Sequence, residues 1–264
     1  MSRFNDLFAM VKIQQRVAKI PFLMLGDPTM ERSLDTINAV IKSGADALEL
    51  GIPFSDPIAD GPIVAQASNR ARNQGVMPLD CLAMIAQIRQ HHPTLPIGLL
   101  VYANIVNHLG INRFYALAYK AGVDAVLIPD VPTIEAPPFC QAAKQNHIQP
   151  VLIATMNCND EDLKRVAKLS EGFSYVVTRK GVTGTDKKCE FGDTQVITQK
   201  LKDFHAPPAV FGFGIKNAQD VQSAYEHGAV GVIIGSALIE SLHALSHHPF
   251  NFDTVKSLTE KLFG

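Results

Sequence analysis

The segment SGADALELGIPFSDPIADGP, residues 43–62, contains the end of a helix, a buried strand and a stiff loop. Gly44 is suited to end a helix in the left-handed conformation, and the apolar run after it is typical of a strand buried on both faces. Glu49 lies inside this apolar run, and the loop after it adds Asp56 and Asp60 between three prolines. A lone carboxylate in such a strand is either paired with a buried cation or functional.

The same order of glycine, short loop and apolar run returns at residues 121–130 (AGVDAVLIPD) and 227–236 (HGAVGVIIGS). Eight apolar runs alternate with segments of helical periodicity, such as the i, i+3, i+4, i+7 stripe that begins at Phe114. The runs are residues 20–25, 47–50, 96–102, 124–129, 149–154, 173–177, 208–213 and 230–235. This pattern predicts a single α/β domain over residues 1–264, a (β/α)8 TIM barrel with a short N-terminal helix. The alternative is an open doubly wound sheet, but no GxGxxG motif follows the first run.

Composition excludes several classes of function. The chain has 264 residues, 47% of them hydrophobic, and a formal net charge of -1, which gives no electrostatic reason to expect nucleic acid or anionic lipid as a partner. No signal peptide and no run of about 18 apolar residues is present, so we expect a cytoplasmic protein that does not enter a membrane. The four cysteines form no CxxC pair, which favours free thiols.

Active sites of such barrels form at the C-terminal ends of the strands. Glu49 and Asp60 meet this condition after the second predicted strand, and Tyr175 lies in the sixth. Burial raises the pKa of a carboxyl group, which makes it a usable proton donor near neutral pH. The alternatives are a structural glutamate paired with Lys or Arg, and a turn-forming aspartate in the ADGP segment.

Two glycine-rich segments follow the seventh and eighth predicted strands. Phe213 lies between Gly212 and Gly214, while Gly235 and Ser236 begin a helical run. Small residues and a helix N-terminus at these two places are typical of a phosphate site in a barrel, although simple turn glycines are the alternative.

Residues 178–193, TRKGVTGTDKKCEFGD, form a long polar segment after the sixth predicted strand. Its glycines and its length predict a lid over the substrate, and a solvated surface loop is the alternative. A metal site is not expected, because the histidine pairs at 91–92 and 247–248 are adjacent residues that point to different faces of a helix. No Ser-His-Asp or Cys-His pattern stands out.

The motifs LELGIPFSDPIADGP, GLLVYAN, RKGVTG, GFGI and IIGSA occur in this order. Together they resemble the tryptophan synthase alpha chain family, and the resemblance covers nearly the whole chain. It implies a lyase of tryptophan biosynthesis that cleaves indole-3-glycerol phosphate by a retro-aldol reaction to indole and glyceraldehyde 3-phosphate. It also implies that this chain needs no cofactor, and that its partner in an α2β2 complex is a beta chain carrying pyridoxal phosphate.

The resemblance assigns roles to individual residues. It implies that Glu49 is the acid–base group and that Asp60 accepts the indole N–H. The remaining implied substrate contacts are Phe22, Leu100, Leu127, Tyr175 and Phe213 around the indole, Gly184, Gly214, Gly235 and Ser236 around the phosphate, and Thr183 in the lid.

The expected partner surface is the C-terminal face near Asp56, Pro57 and Asn104, because indole leaves the barrel there. The chain departs from the family pattern at Ile63 and Ala65, where Thr and Gln are usual. Two alternatives remain at this point: another phosphate-binding barrel enzyme of the same pathway, and a catalytically weak subunit that mainly activates the beta chain.

Overall fold

A computed structural model describes residues 2–178 and 191–264 of the chain. In these ranges nine strands form one sheet in which all paired neighbours are parallel, in the order β5-β4-β3-β2-β1-β9-β8-β7-β6. The strands are β1 (Ala18–Met24), β2 (Leu48–Gly51), β3 (Ile97–Leu100), β4 (Ala125–Leu127), β5 (Gln149–Val151), β6 (Ile153–Ala154), β7 (Ser174–Val177), β8 (Ala209–Gly212) and β9 (Gly231–Ile234). Each predicted run contains a strand, and the sheet is a nearly closed barrel, so the predicted fold class is confirmed.

The fifth predicted strand is split into β5 and β6 at Leu152. β5 pairs with β4, whereas β6 pairs with β7, so this one residue joins the two ends of the sheet. The Leu152 N–H donates to the Ser170 hydroxyl (3.2 Å) instead of to a strand, and its carbonyl accepts from the Tyr175 N–H (3.0 Å). Pro150 has no N–H to donate, which further limits regular pairing here.

Twelve helices are described, more than the eight of an ideal barrel, because several connections contain two. They are α1 (Arg3–Ile13), α2 (Met30–Lys42), α3 (Pro62–Asn73), α4 (Pro78–His91), α5 (Ala103–Leu109), α6 (Ile111–Ala121), α7 (Pro137–Gln145), α8 (Asp160–Leu169), α9 (Phe191–Asp203), α10 (Ala218–Glu226), α11 (Ser236–Leu245) and α12 (Phe252–Phe263). None of these helices has the length and apolar character needed to cross a membrane. The three glycines predicted to close helices, Gly44, Gly122 and Gly228, have φ values of 94°, 91° and 89°.

The buried side chains form two layers on either side of the strands. Successive residues of a strand point to opposite faces, so Leu48 and Leu50 pack towards the helices, and Glu49 between them points into the barrel. Phe22 of β1 and Tyr175 of β7 belong to the inner layer. The two-residue period of the strand thus determines that a carboxyl group is enclosed by the barrel.

Helix α1 closes the N-terminal end of the barrel. The ring of Phe173, just before β7, lies 5.2 Å from that of Phe4 and 6.0 Å from that of Phe8, measured between ring centroids. Arg3 anchors the same helix to Asp124, with Nη1 and Oδ1 2.6 Å apart. The second oxygen of Asp124 accepts from Arg89 (2.7 Å) and from the Ile97 N–H (2.8 Å).

We predict that Asp124→Ala lowers the free energy of unfolding by about 3–5 kcal/mol, because Arg89 would remain buried without a carboxylate to balance its charge. The side chain of Asp124 is 9% exposed and that of Arg89 is 13% exposed. The control is Glu171→Gln, which removes the exposed pair with Lys144 and should change stability by less than about 1 kcal/mol. Urea unfolding of both variants tests this, and equal losses would show that the Asp124 network contributes no more than a surface pair.

Candidate active site

Glu49 occupies the inside of the barrel at the middle of β2. Its neighbours across the strands are Phe22 in β1 and Gly98 in β3, and the residue is 4% exposed. Burial raises its pKa to about 8, and the nearby charge of Asp60 adds to the rise. Within the described residues no Lys or Arg forms an ion pair with Glu49, so the structural alternative of a buried salt bridge finds no partner there.

Asp60 ends the loop that follows β2, two residues before α3. The Tyr102 hydroxyl donates to its carboxylate and also accepts from the Ala59 N–H at 3.2 Å. Burial raises the pKa of Asp60 to about 6, and the Tyr102 hydrogen bond opposes part of that rise by favouring the ionised form. The two carboxyl groups therefore have unequal proton affinities, as a division into acid and base requires.

One cavity at the C-terminal end of the barrel brings most of the predicted residues together. Nine of them line it: Phe22, Glu49, Asp60, Leu100, Tyr175, Phe213, Gly214, Gly235 and Ser236. Its remaining lining residues, which the sequence did not indicate, are Val64, Ile215 and Ile233. These three are ordinary apolar residues, and only the three-dimensional arrangement distinguishes them from core residues.

Tyr175 and Phe213 form one wall of the cavity. Their ring centroids are 5.8 Å apart and their planes are nearly perpendicular, at 85°. A Cβ atom at Gly212 would overlap the Tyr175 hydroxyl, so only glycine lets this ring lie across β8. Phe213 has a φ of 62°, a left-handed conformation that is uncommon for a bulky residue, and Thr178 donates to its carbonyl. The hydrogen bond from Thr178 thus helps to keep Phe213 in this strained conformation.

Another part of the cavity is suited to an anion. Ser236 is the first residue of α11, and its N-cap Gly235 provides no side-chain hydrogen bond to the first turn. The leading N–H groups of α11 and the helix dipole together favour a bound negative charge. Gly214, with a φ of 98°, brings the turn after β8 to the same place.

Not every predicted residue lies in this cavity. Leu127 is buried in the same inner layer but does not line the cavity. Thr183, Gly184 and the predicted lid of residues 178–193 fall outside the described residues, except at the two ends of that segment. Among the described residues, no three His, Cys, Asp or Glu side chains are placed to hold a metal ion, and three of the cysteines are free thiols.

The predicted partner residues lie on the face where the cavity opens. Asp56 and Asn104 are exposed, and Pro57 is half-buried. Near them Ile58 is 73% exposed and Ile134 is 65% exposed, which is unusual for large apolar side chains. Ile134 lines a groove of about 690 Å³ that also reaches Ala59 and Phe213, next to the cavity.

The enclosure of Glu49 predicts a pH-dependent stability. Because its pKa rises from 4.5 to about 8 on folding, the folded chain retains a proton that the unfolded chain releases between these pH values. The stabilisation is complete below the unfolded pKa and is lost as the pH rises to about 8, at up to about 1.4 kcal/mol per pH unit. Glu49→Gln has no such proton to lose, so its stability advantage over the wild type should grow from about pH 5 to about pH 8.

Urea unfolding at several pH values measures this difference. The control Glu161→Gln changes a glutamate of α8 that is 80% exposed and therefore far less desolvated than Glu49, so its effect on stability should be much smaller over this range. A constant difference between Glu49→Gln and the wild type over this range would contradict the enclosure of a neutral carboxyl group.

Comparisons with known proteins agree on one family. The family model described as tryptophan synthase alpha chain matches residues 8–262. The alpha chain of Proteus mirabilis (strain HI4320) is 49% identical over 249 residues, covering 94% of this chain and 92% of that relative. Mycobacterium tuberculosis tryptophan synthase superposes with a TM-score of 0.88 at 28% identity, covering 99% and 97% of the two chains. The tryptophan synthase α2β2 complex of Pyrococcus furiosus gives 0.84 at 32% identity, covering 93% and 97%. The chain therefore belongs to the tryptophan synthase alpha chain family.

Proposed function

We propose that Glu49 and Asp60 are the catalytic residues of the alpha reaction. In this reaction the chain, as a lyase of tryptophan biosynthesis, cleaves indole-3-glycerol phosphate to indole and glyceraldehyde 3-phosphate. The observation that carries the assignment is the meeting of two carboxyl groups with unequal pKa values, about 8 and about 6, in one largely apolar cavity. Between these values Glu49 holds a proton while Asp60 is ionised.

Glu49 acts first as an acid. The bond between indole C3 and the glycerol side chain cannot break until C3 has accepted a proton, because the departing electron pair needs an acceptor. Glu49 donates this proton, and the indole becomes an indolenine cation. The resulting carboxylate then takes the proton of the side-chain hydroxyl while the carbon–carbon bond breaks, which releases the aldehyde and indole and restores the protonated Glu49. Each acid–base contribution of this kind is worth about 10²–10⁴ in rate.

Asp60 acts as a fixed negative charge. Its ionised carboxylate accepts the indole N–H and stabilises the positive charge that develops on the ring after C3 is protonated. The hydrogen bond from Tyr102 supports this role because it favours the ionised form.

The rest of the cavity binds the two ends of the substrate. Phe22, Tyr175 and Phe213 give apolar contact to the indole ring, and Leu100 and Leu127 extend the same inner layer. The phosphate interacts with the N-terminus of α11 at Gly235 and Ser236 and with Gly214. Thr183 and Gly184 remain proposed lid and phosphate contacts on the basis of the family resemblance alone.

We further propose that the partner is a tryptophan synthase beta chain in an α2β2 complex, and that pyridoxal phosphate belongs to that partner. The solved structure from Pyrococcus furiosus is described as an α2β2 complex, and it covers 93% of this chain. Exposed Ile58 and Ile134 beside Asp56 support the C-terminal face as the docking surface, since such apolar side chains are enriched where proteins associate.

We expect Glu49→Gln to abolish indole formation and Asp60→Asn to impair it severely, with folding intact in both. Glutamine has nearly the same shape but cannot donate the proton, and asparagine lacks the charge that faces the indole cation. Indole release from indole-3-glycerol phosphate is the measurement, with Glu161→Gln on exposed α8 as the control. More than about a tenth of wild-type turnover in Glu49→Gln would exclude it as the general acid.

For the docking surface we expect Asp56→Lys to weaken binding of the beta chain and the mutual activation of the two subunits. The matched charge reversal Asp203→Lys lies at the end of α9, on the opposite face of the barrel, and should have no effect. Titration calorimetry with the purified beta chain measures both affinities, and an unchanged affinity for Asp56→Lys would exclude this surface.

A further inference from the structure

Ser68 of α3 is a fully buried serine with a specific hydrogen-bonding arrangement. Its hydroxyl accepts from the Phe54 N–H at 2.8 Å and donates to the Phe54 carbonyl at 2.8 Å. One side chain therefore satisfies both backbone polar groups of a residue in the loop between β2 and α3. The relative exposure of Ser68 is 0%, so water cannot replace these bonds without a rearrangement.

The side chain of Phe54 continues the line of contacts towards the cavity. Its ring stacks on Tyr102, with centroids 5.0 Å apart and planes inclined at 21°. Tyr102 is 1% exposed, and its hydroxyl bonds both the Ala59 N–H and the Asp60 carboxylate. Ser68 is thus linked to Asp60 by three successive direct contacts: its hydrogen bonds to Phe54, the stacking of Phe54 on Tyr102, and the hydrogen bond from Tyr102 to Asp60.

Two other contacts attach the loop to β3 and the segment after it. Ile52 donates its N–H to the Leu100 carbonyl (3.1 Å), and the Ala59 N–H donates to the Tyr102 hydroxyl (3.2 Å). Between these two contacts, Ser68 hydrogen-bonds the loop to α3. Loss of its hydroxyl would leave two partly buried backbone groups unpaired, and the loop would relieve this by moving Phe54 off Tyr102.

We propose that Ser68 is a positioning residue, which holds Phe54 against Tyr102 so that the Tyr102 hydroxyl stays on the Asp60 carboxylate. The inference rests on the proposed catalytic role of Asp60. It goes beyond that role because the hydroxyl of Ser68, which does not line the cavity, holds the loop that carries Asp60 in position. Small displacements of a catalytic group can reduce rates strongly, so such a residue affects turnover more than binding.

The ionisable groups around Asp60 determine what a displaced loop would change. Glu49 faces it from β2, Tyr175 from β7 and Tyr102 from the end of β3, while Asp130 lies near Tyr102. Of these, Tyr102 is the group that favours the ionised form of Asp60. Loss of this hydrogen bond raises the pKa of Asp60, whereas entry of water lowers it, because burial is the main cause of the raised pKa. Loosening the loop should therefore move the pKa of Asp60 away from its wild-type value.

The test compares Ser68→Ala with Ser68→Thr, which keeps the hydroxyl. We expect kcat to fall about tenfold in Ser68→Ala with KM changed less than about threefold, and to recover in Ser68→Thr. Tyr102→Phe should show a similar loss, and the double variant Ser68→Ala with Tyr102→Phe should lose little more than either, because both changes break one line of contacts. If Ser68→Ala does not fold, Ser68→Cys replaces it, because a thiol is a weaker hydrogen-bonding group than a hydroxyl. Its kcat must then also be lower than that of Ser68→Thr.

A readout without turnover separates this inference from the proposed function. Carbon-13 NMR titration of the Asp60 carboxyl group should show a pKa that differs from the wild-type value in Ser68→Ala and the wild-type pKa in Ser68→Thr. The control Ser170→Ala removes another buried hydroxyl that accepts a backbone N–H, that of Leu152, at the other end of the barrel. It should lower stability without moving the Asp60 pKa or kcat.

The outcomes are distinct. If Ser68→Ala behaves like Ser170→Ala, losing stability alone, Ser68 is merely structural and the inference is overturned. If the Asp60 pKa moves in Ser68→Ala while kcat stays at the wild-type value, the positioning inference stands, and the catalytic role of Asp60 is the part that fails.

Discussion

A carboxyl group enclosed by apolar side chains has to be neutral, paired or hydrogen-bonded. In this barrel that requirement applies to Glu49 and determines the chemistry of the cavity around it. The strand that carries Glu49 is buried on both faces, and no cation reaches the group within the described residues. The protein satisfies the requirement by keeping Glu49 protonated, because a neutral carboxyl group destabilises the folded chain less than a buried, unpaired charge does. In the mechanism proposed above, the alpha reaction consumes and regains this same proton in each turnover.

The second carboxyl group is supported differently. Asp60 is held on a loop instead of a strand, and a tyrosine hydroxyl donates to it. The barrel gives Glu49 a rigid position through the sheet, whereas Asp60 depends on contacts between the loop, α3 and the end of β3. Because a loop is less constrained than a strand, the position of Asp60 depends on side chains outside the cavity, such as Tyr102 and Phe54.

Much of this structure could be predicted from the sequence, for identifiable reasons. Eight apolar runs mark the positions of the nine strands, with β5 and β6 in one run. Gly44, Gly122 and Gly228 mark helix ends because few residues tolerate a left-handed conformation. Glu49 is conspicuous because a charged residue in such a run is rare. The cavity residues Val64 and Ile233 could not be found, since an apolar side chain facing a substrate looks the same in sequence as one facing the core. Ser68 is likewise an ordinary helical serine until its distance to Phe54 is known.

The aromatic contact between α1 and Phe173 has a consequence for how the chain is made. Phe4 and Phe8 leave the ribosome well before Phe173, which emerges only after most of the strands. Until then the apolar face of α1 has no Phe173 to pack against, and the base of the barrel stays open. Completion of the base is therefore a late event between distant parts of the chain, and such non-local contacts slow folding because a long loop must first be ordered. Nascent chains that stop before Phe173 would expose this face to the solvent, where chaperones and proteases recognise unfinished proteins.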